Sequence, residues 1–321
     1  MPPRPNLTLL VPLCDEEAVI PELLRRLAAA ADRLDAEVDF LLVDDGSRDR
    51  TGELLREAAG REPRLAVLRL SRNFGQQMAL AAGLSESRGD AVAILDADLQ
   101  DPPELLGEMV ARWREGYAVV YGVRRNRRES WPRRLAFAAY YRLLRRVAAI
   151  DVPVDAGDFC LLDRRVVDLL NRLPERSRFL RGLRAWAGFR QIGIPYDRPA
   201  RAAGAPKYSW RRLLELGLDG LFSFSHVPLR LVSLLGIALS VCALLGVLFY
   251  LVWWSAEFRI AGRRPADVAG FMTLATLLLF FAGIQLLSLG LLGEYVGRIY
   301  VEVKQRPGWV VAERFGRAIS R

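Results

Sequence analysis

The sequence predicts an α/β protein built on a mostly parallel sheet, followed by interfacial helices and a two-helix hairpin across a membrane. Three observations predict it. Apolar runs of strand length alternate with runs of helical spacing through the first 123 residues, three of the early strands end in acids, and two long stretches of the C-terminal third carry no charge. Strands that alternate with helices imply a mostly parallel sheet covered on both faces.

In order, Leu7 to Leu13 is a strand, and Glu16 to Leu34, with Ile20, Leu23, Leu24 and Leu27 at helical spacing, is a helix. Val38 to Asp45 is the second strand and Thr51 to Ala59 the second helix. Leu65 to Leu70, Gln76 to Ser87, Ala91 to Leu95, Pro103 to Glu115 and Tyr117 to Val123 continue as strand, helix, strand, helix and strand. No internal repeat or low-complexity tract interrupts them.

Chemistry concentrates at the strand ends. The fourth strand stops at Asp96, Asp98 and Asp101, with Gln100 among them and Pro102 and Pro103 opening the next helix. In open α/β sheets ligands bind outside the carboxyl ends of the strands. Two carboxylates one residue apart are hard oxygen ligands of the kind magnesium or manganese takes beside substrate phosphates. A polar turn with Asp as a cap accounts for the same residues. The first strand closes with Pro12, Cys14, Asp15 and Glu16, and the second with Asp44, Asp45, Gly46 and Ser47. Carboxylates there can accept hydrogen bonds from ribose hydroxyls and a base N–H. Asp44 is taken as functional and Ser47 as a cap. No GxGxxG follows the first strand and no GxxxxGK occurs, so neither a dinucleotide nor a P-loop cradle is present.

The 321 residues exceed one average domain, and 52% hydrophobic with 26% charged content implies that the two classes are segregated. Leu231 to Trp254 and Val268 to Leu292 contain no Asp, Glu, Lys or Arg, and each exceeds the roughly 20 residues that cross a bilayer. No secretory core precedes them, which places the N-terminal part and the C-terminus in the cytoplasm with the loop outside. Lys and Arg agree in part: four between Lys207 and Arg230, six from Arg298 to Arg321, three in Ser255 to Asp267. Cys14, Cys160 and Cys242 are spaced like neither a metal site nor a disulfide framework. The net charge of +9 is uneven, with nine arginines and one acid between Arg124 and Arg146, interleaved with Trp131, Phe137, Tyr140 and Tyr141. On a chain with membrane spans this pattern faces anionic headgroups or a lipid phosphate rather than nucleic acid. His226, the one histidine, and Trp131, Trp210, Trp253 and Trp254 fit interfacial structural roles.

The segments VPLCDEE, VDDGS, LSRNFG, LDADLQDPPE, YGVRRNR, DAGDFCLLDRR, FLRG, GFRQ, GAPKY and LDGLFSFS, in this order and followed by two apolar runs, resemble the bacterial polyprenyl-phosphate glycosyltransferases of glycosyltransferase family 2, kin to dolichyl-phosphate mannose synthase. The resemblance runs from Leu7 to about Leu292. It implies a cytosolic GT-A type nucleotide-sugar-binding domain over 1–204, an interfacial linker over 205–228, a transmembrane hairpin over 229–292 and a cytosolic tail over 293–321. Pro12, Asp15, Glu16 and Asp44 match positions that hold the nucleoside, and Asp96 lies near the ribose or the metal. Asp98 and Gln100 match the ligands of a divalent cation, Mg2+ or Mn2+. Arg124 and Arg128 look like the pair that receives the lipid phosphate. Arg201 and Lys207 fall in the segment that closes over the phosphates, and Arg201 is grouped with the lipid-phosphate arginines. That segment usually reads GESKY or GETKY, and here Ala205 and Pro206 replace two of its residues; Cys14 stands where the family often has Tyr.

What the resemblance implies is inverting transfer of a sugar, UDP-glucose being the expected donor, to undecaprenyl phosphate at the cytoplasmic face of the plasma membrane. Asp98, Asp158, Arg124 and Lys207 are the expected catalytic residues, with Asp158 as base, sugar-hydroxyl acceptor or arginine partner. Expected partners are the nucleotide sugar, the polyprenyl phosphate, the bilayer, a second copy of the chain and a flippase, and not nucleic acid. A processive polysaccharide synthase would carry a QxxRW motif and more spans, which are not present. A membrane-anchored nucleotide sensor without activity is the alternative from another class.

Overall fold

The structure is a computed structural model that describes residues 4–125, 156–175, 178–197, 227–256 and 270–317. Eight strands form one sheet: β1 (Asn6–Leu13), β2 (Glu37–Asp44), β3 (Leu65–Leu70), β4 (Ala91–Ile94), β5 (Val119–Arg124), β6 (Ala156–Asp163), β7 (Gln191–Tyr196) and β8 (Val311–Gly316). Their order is β7-β5-β6-β4-β1-β2-β3-β8. β1 pairs parallel with both β2 and β4, with Leu13 opposite Asp44 and Leu10 opposite Ile94. The strand order reverses between β1 and β4, and their carboxyl ends therefore flank a crevice of the kind that receives ligands in open α/β sheets.

The helices are α1 (Ile20–Ala31), α2 (Thr51–Ala59), α3 (Gln76–Glu86), α4 (Leu106–Arg114), α5 (Arg164–Arg172), α6 (Leu180–Trp186), α7 (Val227–Ala256) and α8 (Phe271–Val303). β1 is buried from Leu7 to Leu13, as a central strand covered on both faces must be. The core joins Leu7, Leu9, Val11, Phe40, Leu42, Leu65, Val67 and Ala93 to Leu23 and Leu27 of α1 and Met109 of α4. One expected boundary moves: α1 begins at Ile20, not Glu16. The N–H groups of Asp15, Glu16 and Glu17 donate to Ser47 Oγ, Thr51 Oγ1 and Asp49 Oδ2, and Asp15 has φ 53°. This segment is thus stitched to the turn after β2, and Pro21 sets the helix start.

The alternation gave no expectation beyond Val123. There the chain adds β6 between β4 and β5, antiparallel to both, with Cys160 opposite Ile94. An antiparallel strand brings its beginning, not its end, to the carboxyl ends of its parallel neighbours. Asp158 reaches the same sheet edge as Asp96 in this way.

The chain divides into two compact units, 1–220 with 306–321, and 221–305. In the second unit α7 has 30 residues and α8 has 33. Among the described residues one stretch, Phe280–Val303, is long and apolar enough by length and composition to cross a bilayer, and Gly236–Gly246 is a shorter apolar stretch. Large apolar side chains such as Leu234, Ile237, Leu278 and Leu286 are exposed. Beyond α8 the chain returns to the first unit as β8, antiparallel to β3. Arg314 pairs with Glu86 at 2.7 Å, Arg56 and Arg317 pair with Glu313 and Asp39, and Arg56 lies 5.0 Å over the Phe315 ring.

Removing residues 306–321 leaves the edge of β3 open. Five register pairs are lost, and at roughly 0.2–1 kcal/mol each the cost is about 2–3 kcal/mol. For a domain of this size that lowers Tm by roughly 5–10 °C. Thermal unfolding of the truncated and full chains in the same detergent checks it, and an unchanged Tm contradicts a structural role for β8.

Candidate active site at the strand ends

The turn after β2 is built around two acids. Asp44 is fully buried; its Oδ1 accepts from Ser47 N–H at 2.9 Å and its Oδ2 lies 3.2 Å from Arg69 Nε. Asp45 turns the other way and accepts from Phe74 N–H at 2.7 Å and Gly75 N–H at 2.8 Å. Burial pushes the Asp45 carboxyl above its ordinary value. Gly46 has φ 67°, and a Cβ there would stand 2.3 Å from the carbonyl carbon of Arg72. Only glycine lets this turn lie against the segment that starts α3. Asp15 Oδ1 accepts from Arg48 N–H at 2.8 Å, and Asn73 Nδ2 donates to Cys14 Sγ at 3.0 Å. The expected nucleoside residues Asp15, Glu16 and Asp44 are therefore each hydrogen-bonded to the segment Ser47–Thr51.

Beside it, β4 ends in the acid cluster. Asp98 Oδ1 accepts from Gln100 N–H at 3.1 Å across Leu99, which has φ 56°. Gln76 Nε2 donates to Asp96 Oδ1 at 2.9 Å. Burial and the neighbouring Asp101, Asp158 and Asp98 push the Asp96 carboxyl up to about 7. Asp101 is buried; Tyr196 donates its hydroxyl to Oδ1, and Arg124 Nη2 lies 3.7 Å from the same oxygen. Arg124 Nε donates to Tyr196 Oη at 3.3 Å. Burial and Asp101 together raise the tyrosine's pKa.

Asp158 completes the cluster from β6. It is 4% exposed and accepts from Arg181 Nε at 2.9 Å, Arg181 Nη2 at 3.3 Å and Gln77 Nε2 at 3.1 Å. Burial works against its charge, yet the Arg181 guanidinium holds the carboxyl below its ordinary range. Among its three expected roles, Asp158 occupies that of an arginine's partner here.

The structure thus brings Pro12, Asp15, Glu16, Asp44, Asp96, Asp98, Gln100, Asp158 and Arg124 to one edge of the sheet. Arg128, Arg201, Lys207, most of the basic-aromatic stretch and His226 lie outside the described residues. Arg124 is less open than its expected role implies: 18% of its side chain is exposed. Asp45, Gln76, Gln77, Arg181 and Tyr196 were not among the candidate residues. Arg181 sits in the FLRG segment, which offers a signal without a role, while Tyr196 carries no motif.

The donor set suits a hard divalent cation. Asp98 and Gln100 can supply oxygens, and the raised Asp96 carboxyl and the buried Asp101 Oδ2, which has no hydrogen-bond partner among the described residues, mark an excess of negative potential. Among the described residues no group of three or more His, Cys, Asp or Glu side chains forms a ready-made cage. Magnesium and manganese sites of the phosphate-bridging kind need only one or two carboxylates, with phosphate and water supplying the rest.

A turn built on buried acids and an acid cluster lie side by side at the switch point of a mostly parallel sheet, the arrangement of a glycosyltransferase, and the chain belongs to glycosyl transferase family 2, whose model matches residues 8–170. The α/β arrangement expected of the GT-A type is thus present. The chain is similar to the uncharacterized glycosyltransferase YkcC of Bacillus subtilis, 43% identical over 96% of this chain and 94% of that one. It is also similar to the uncharacterized glycosyltransferase sll0501 of Synechocystis, 40% identical over 97% and 96%. A third relative is the SfII prophage-derived bactoprenol glucosyl transferase of Shigella flexneri, 34% identical over 95% and 97%.

Tyr196→Phe removes the one hydrogen bond that the Asp101 side chain accepts among the described residues and leaves a buried carboxylate facing Arg124. The expected cost is about 1–3 kcal/mol of stability, read from denaturant unfolding as a lower midpoint at unchanged slope. No change in midpoint shows that Asp101 does not depend on the tyrosine.

Proposed function

We propose that this protein transfers a sugar, glucose from UDP-glucose, to a polyprenyl phosphate at the cytoplasmic face of the membrane. The observation that carries the proposal is one chain that joins the strand-end acid cluster to a helix of bilayer length and matches a bactoprenol glucosyl transferase over 95% of its residues. The name of that relative, a bactoprenol glucosyl transferase, supports both the sugar and the lipid.

The steps follow from charge and position. A lipid monophosphate has its second pKa near 6 and is an oxyanion at neutral pH, so its attack on the anomeric carbon needs no general base. An oxygen of the phosphate bonds to that carbon as the bond to the leaving nucleoside diphosphate breaks, and the carbon inverts. Pro12, Asp15, Glu16 and Asp44 hold the nucleoside. A divalent cation held by Asp98 and Gln100 would supply charge neutralisation for the leaving diphosphate. Lys207 assists at that diphosphate, and Arg124, Arg128 and Arg201 orient the lipid phosphate by planar, bidentate contacts. Arg124 already shares its charge with Asp101, so it meets the phosphate as an oriented fork. Asp158, held ionised by Arg181, serves sugar hydroxyls or the arginine in preference to proton abstraction.

A two-helix hairpin is the membrane arrangement that fits. The pairing of β8 with β3 supports an even number of crossings between the chain before and after residues 221–305. Helices of 30 and 33 residues are each long enough for one crossing. A reporter inserted at Gly262 is expected outside the cytoplasm, with both terminal reporters inside; a cytoplasmic loop contradicts the hairpin.

The activity is tested with a panel of sugar nucleotides against undecaprenyl phosphate, with product read by mass spectrometry. UDP-glucose is expected to give a glucosyl-phospholipid, and Asp98→Asn to lower the rate by roughly 100-fold or more while membrane insertion persists. Full activity of Asp98→Asn, or of the wild type in excess chelator, removes the metal from the mechanism. Absence of transfer with every donor favours a sensor.

A further inference from the structure

We propose that Gln77 is a positioning residue for the transfer reaction, acting through Asp158 and Arg181. The proposal rests on the sugar-transfer function given above and names a residue to which that function assigned nothing.

Gln77 stands in the first turn of α3, and its amide uses both ends. Nε2 donates to Asp158 Oδ2 at 3.1 Å, and Oε1 accepts from Leu180 N–H at 3.0 Å. Leu180 is the first residue of α6, where a backbone N–H has no partner within the helix. Phe179, at the N-cap, offers no side-chain oxygen in its place. Gln77 therefore caps α6 from another helix while it holds the carboxylate to which Arg181, one residue further on, is bound. A single amide joins α3, β6 and α6. Glutamate cannot make the donation and would place a second negative charge beside Asp158. Methionine keeps the volume and makes neither bond.

The same short helix reaches the proposed lipid-phosphate arginine. Arg184 of α6 is fully buried and donates from Nη2 to Gly157 O at 3.1 Å. Gly157 lies beneath Arg124; a Cβ there would stand 3.1 Å from Arg124 Nη2. The position of α6 thus sets both Arg181 and the floor on which Arg124 rests. The start of α3 is itself fixed by Asp45, which accepts from Phe74 N–H and Gly75 N–H, and the adjacent Gln76 holds Asp96. Displacement of Gln77 would shift charged groups around the reacting centre while the nucleoside turn stays in place. Loss of turnover, rather than of donor binding, is the expected signature.

The experiment compares the wild type, Gln77→Met, Gln77→Glu and Arg181→Lys in steady-state transfer from UDP-glucose to undecaprenyl phosphate. Hydrogen exchange of the Leu180 amide is followed alongside. Expected for Gln77→Met are a kcat lower by roughly 10- to 100-fold, a donor KM within about twofold and an exchange rate at Leu180 raised by about tenfold or more. Gln77→Glu is expected to lose more, and Arg181→Lys to reproduce the turnover-selective loss, because lysine cannot make the paired contact with Asp158. In Gln77→Met combined with Asp158→Asn the loss is expected not to exceed the larger single loss. A folded Gln77→Met with wild-type kcat, a loss confined to donor KM, or additive losses in the double variant overturns the proposal. If Gln77→Met fails to fold, Arg181→Lys decides alone, and its unchanged kcat is equally fatal. A wild-type chain that transfers no sugar to any lipid phosphate overturns the function itself, and the role of Gln77 with it. Faster exchange at Leu180 would then record a purely structural cap.

Discussion

Four carboxylates, Asp96, Asp98, Asp101 and Asp158, crowd one edge of one sheet, and much of the structure is explained by the need to keep them there. Bringing like charges together out of water is unfavourable, and the Asp96 carboxyl registers it by a pKa displaced to about 7. Each acid is answered by a donor: Gln76 of α3 for Asp96, the Gln100 N–H of its own turn for Asp98, Tyr196 of β7 for Asp101, and Arg181 of α6 with Gln77 of α3 for Asp158. Neutral amides and a phenol supply much of this set. They satisfy hydrogen bonds without cancelling charge, while Arg124 and Arg181 stand beside Asp101 and Asp158.

The turn after β2 is organised differently. There the acids meet backbone amides, with Arg69 beside Asp44, so that Asp44 and Asp45 shape a turn and fix the start of α3. The two halves of the crevice are coupled because α3 begins at that turn and presents Gln76 and Gln77 to the cluster.

The return of the chain as β8 completes the sheet on its β3 side. An open β3 edge would expose unpaired backbone groups, a standing risk for association. Covering it with residues that follow α8 ties the catalytic sheet to the far end of the apolar unit through the chain itself. Three ion pairs, from Arg56, Arg314 and Arg317, hold the added strand to three different elements. Each is partly exposed and contributes little alone; the pairing of β8 with β3 carries the attachment.

The sequence by itself determined what local pattern can encode. Apolar alternation defined β1 to β5 and α1 to α4 to within a few residues, and acids following apolar runs marked the ends of β1, β2 and β4, because a buried parallel strand must be apolar and its end is where polar groups regain water. The start of α1 escaped, since the amides of Asp15, Glu16 and Glu17 bond to residues more than thirty positions away. Only the tertiary structure decided that β6 runs antiparallel and so delivers Asp158 to the cluster. It also decided that Tyr196 reaches Asp101 across 95 residues of chain, that Gln77 caps α6 across 103, and that Arg317 meets Asp39 across 278. Such contacts leave no periodicity in the sequence. They exist because the sheet order places distant segments side by side, and that order is set by the packing of the whole core, which no short window of residues contains.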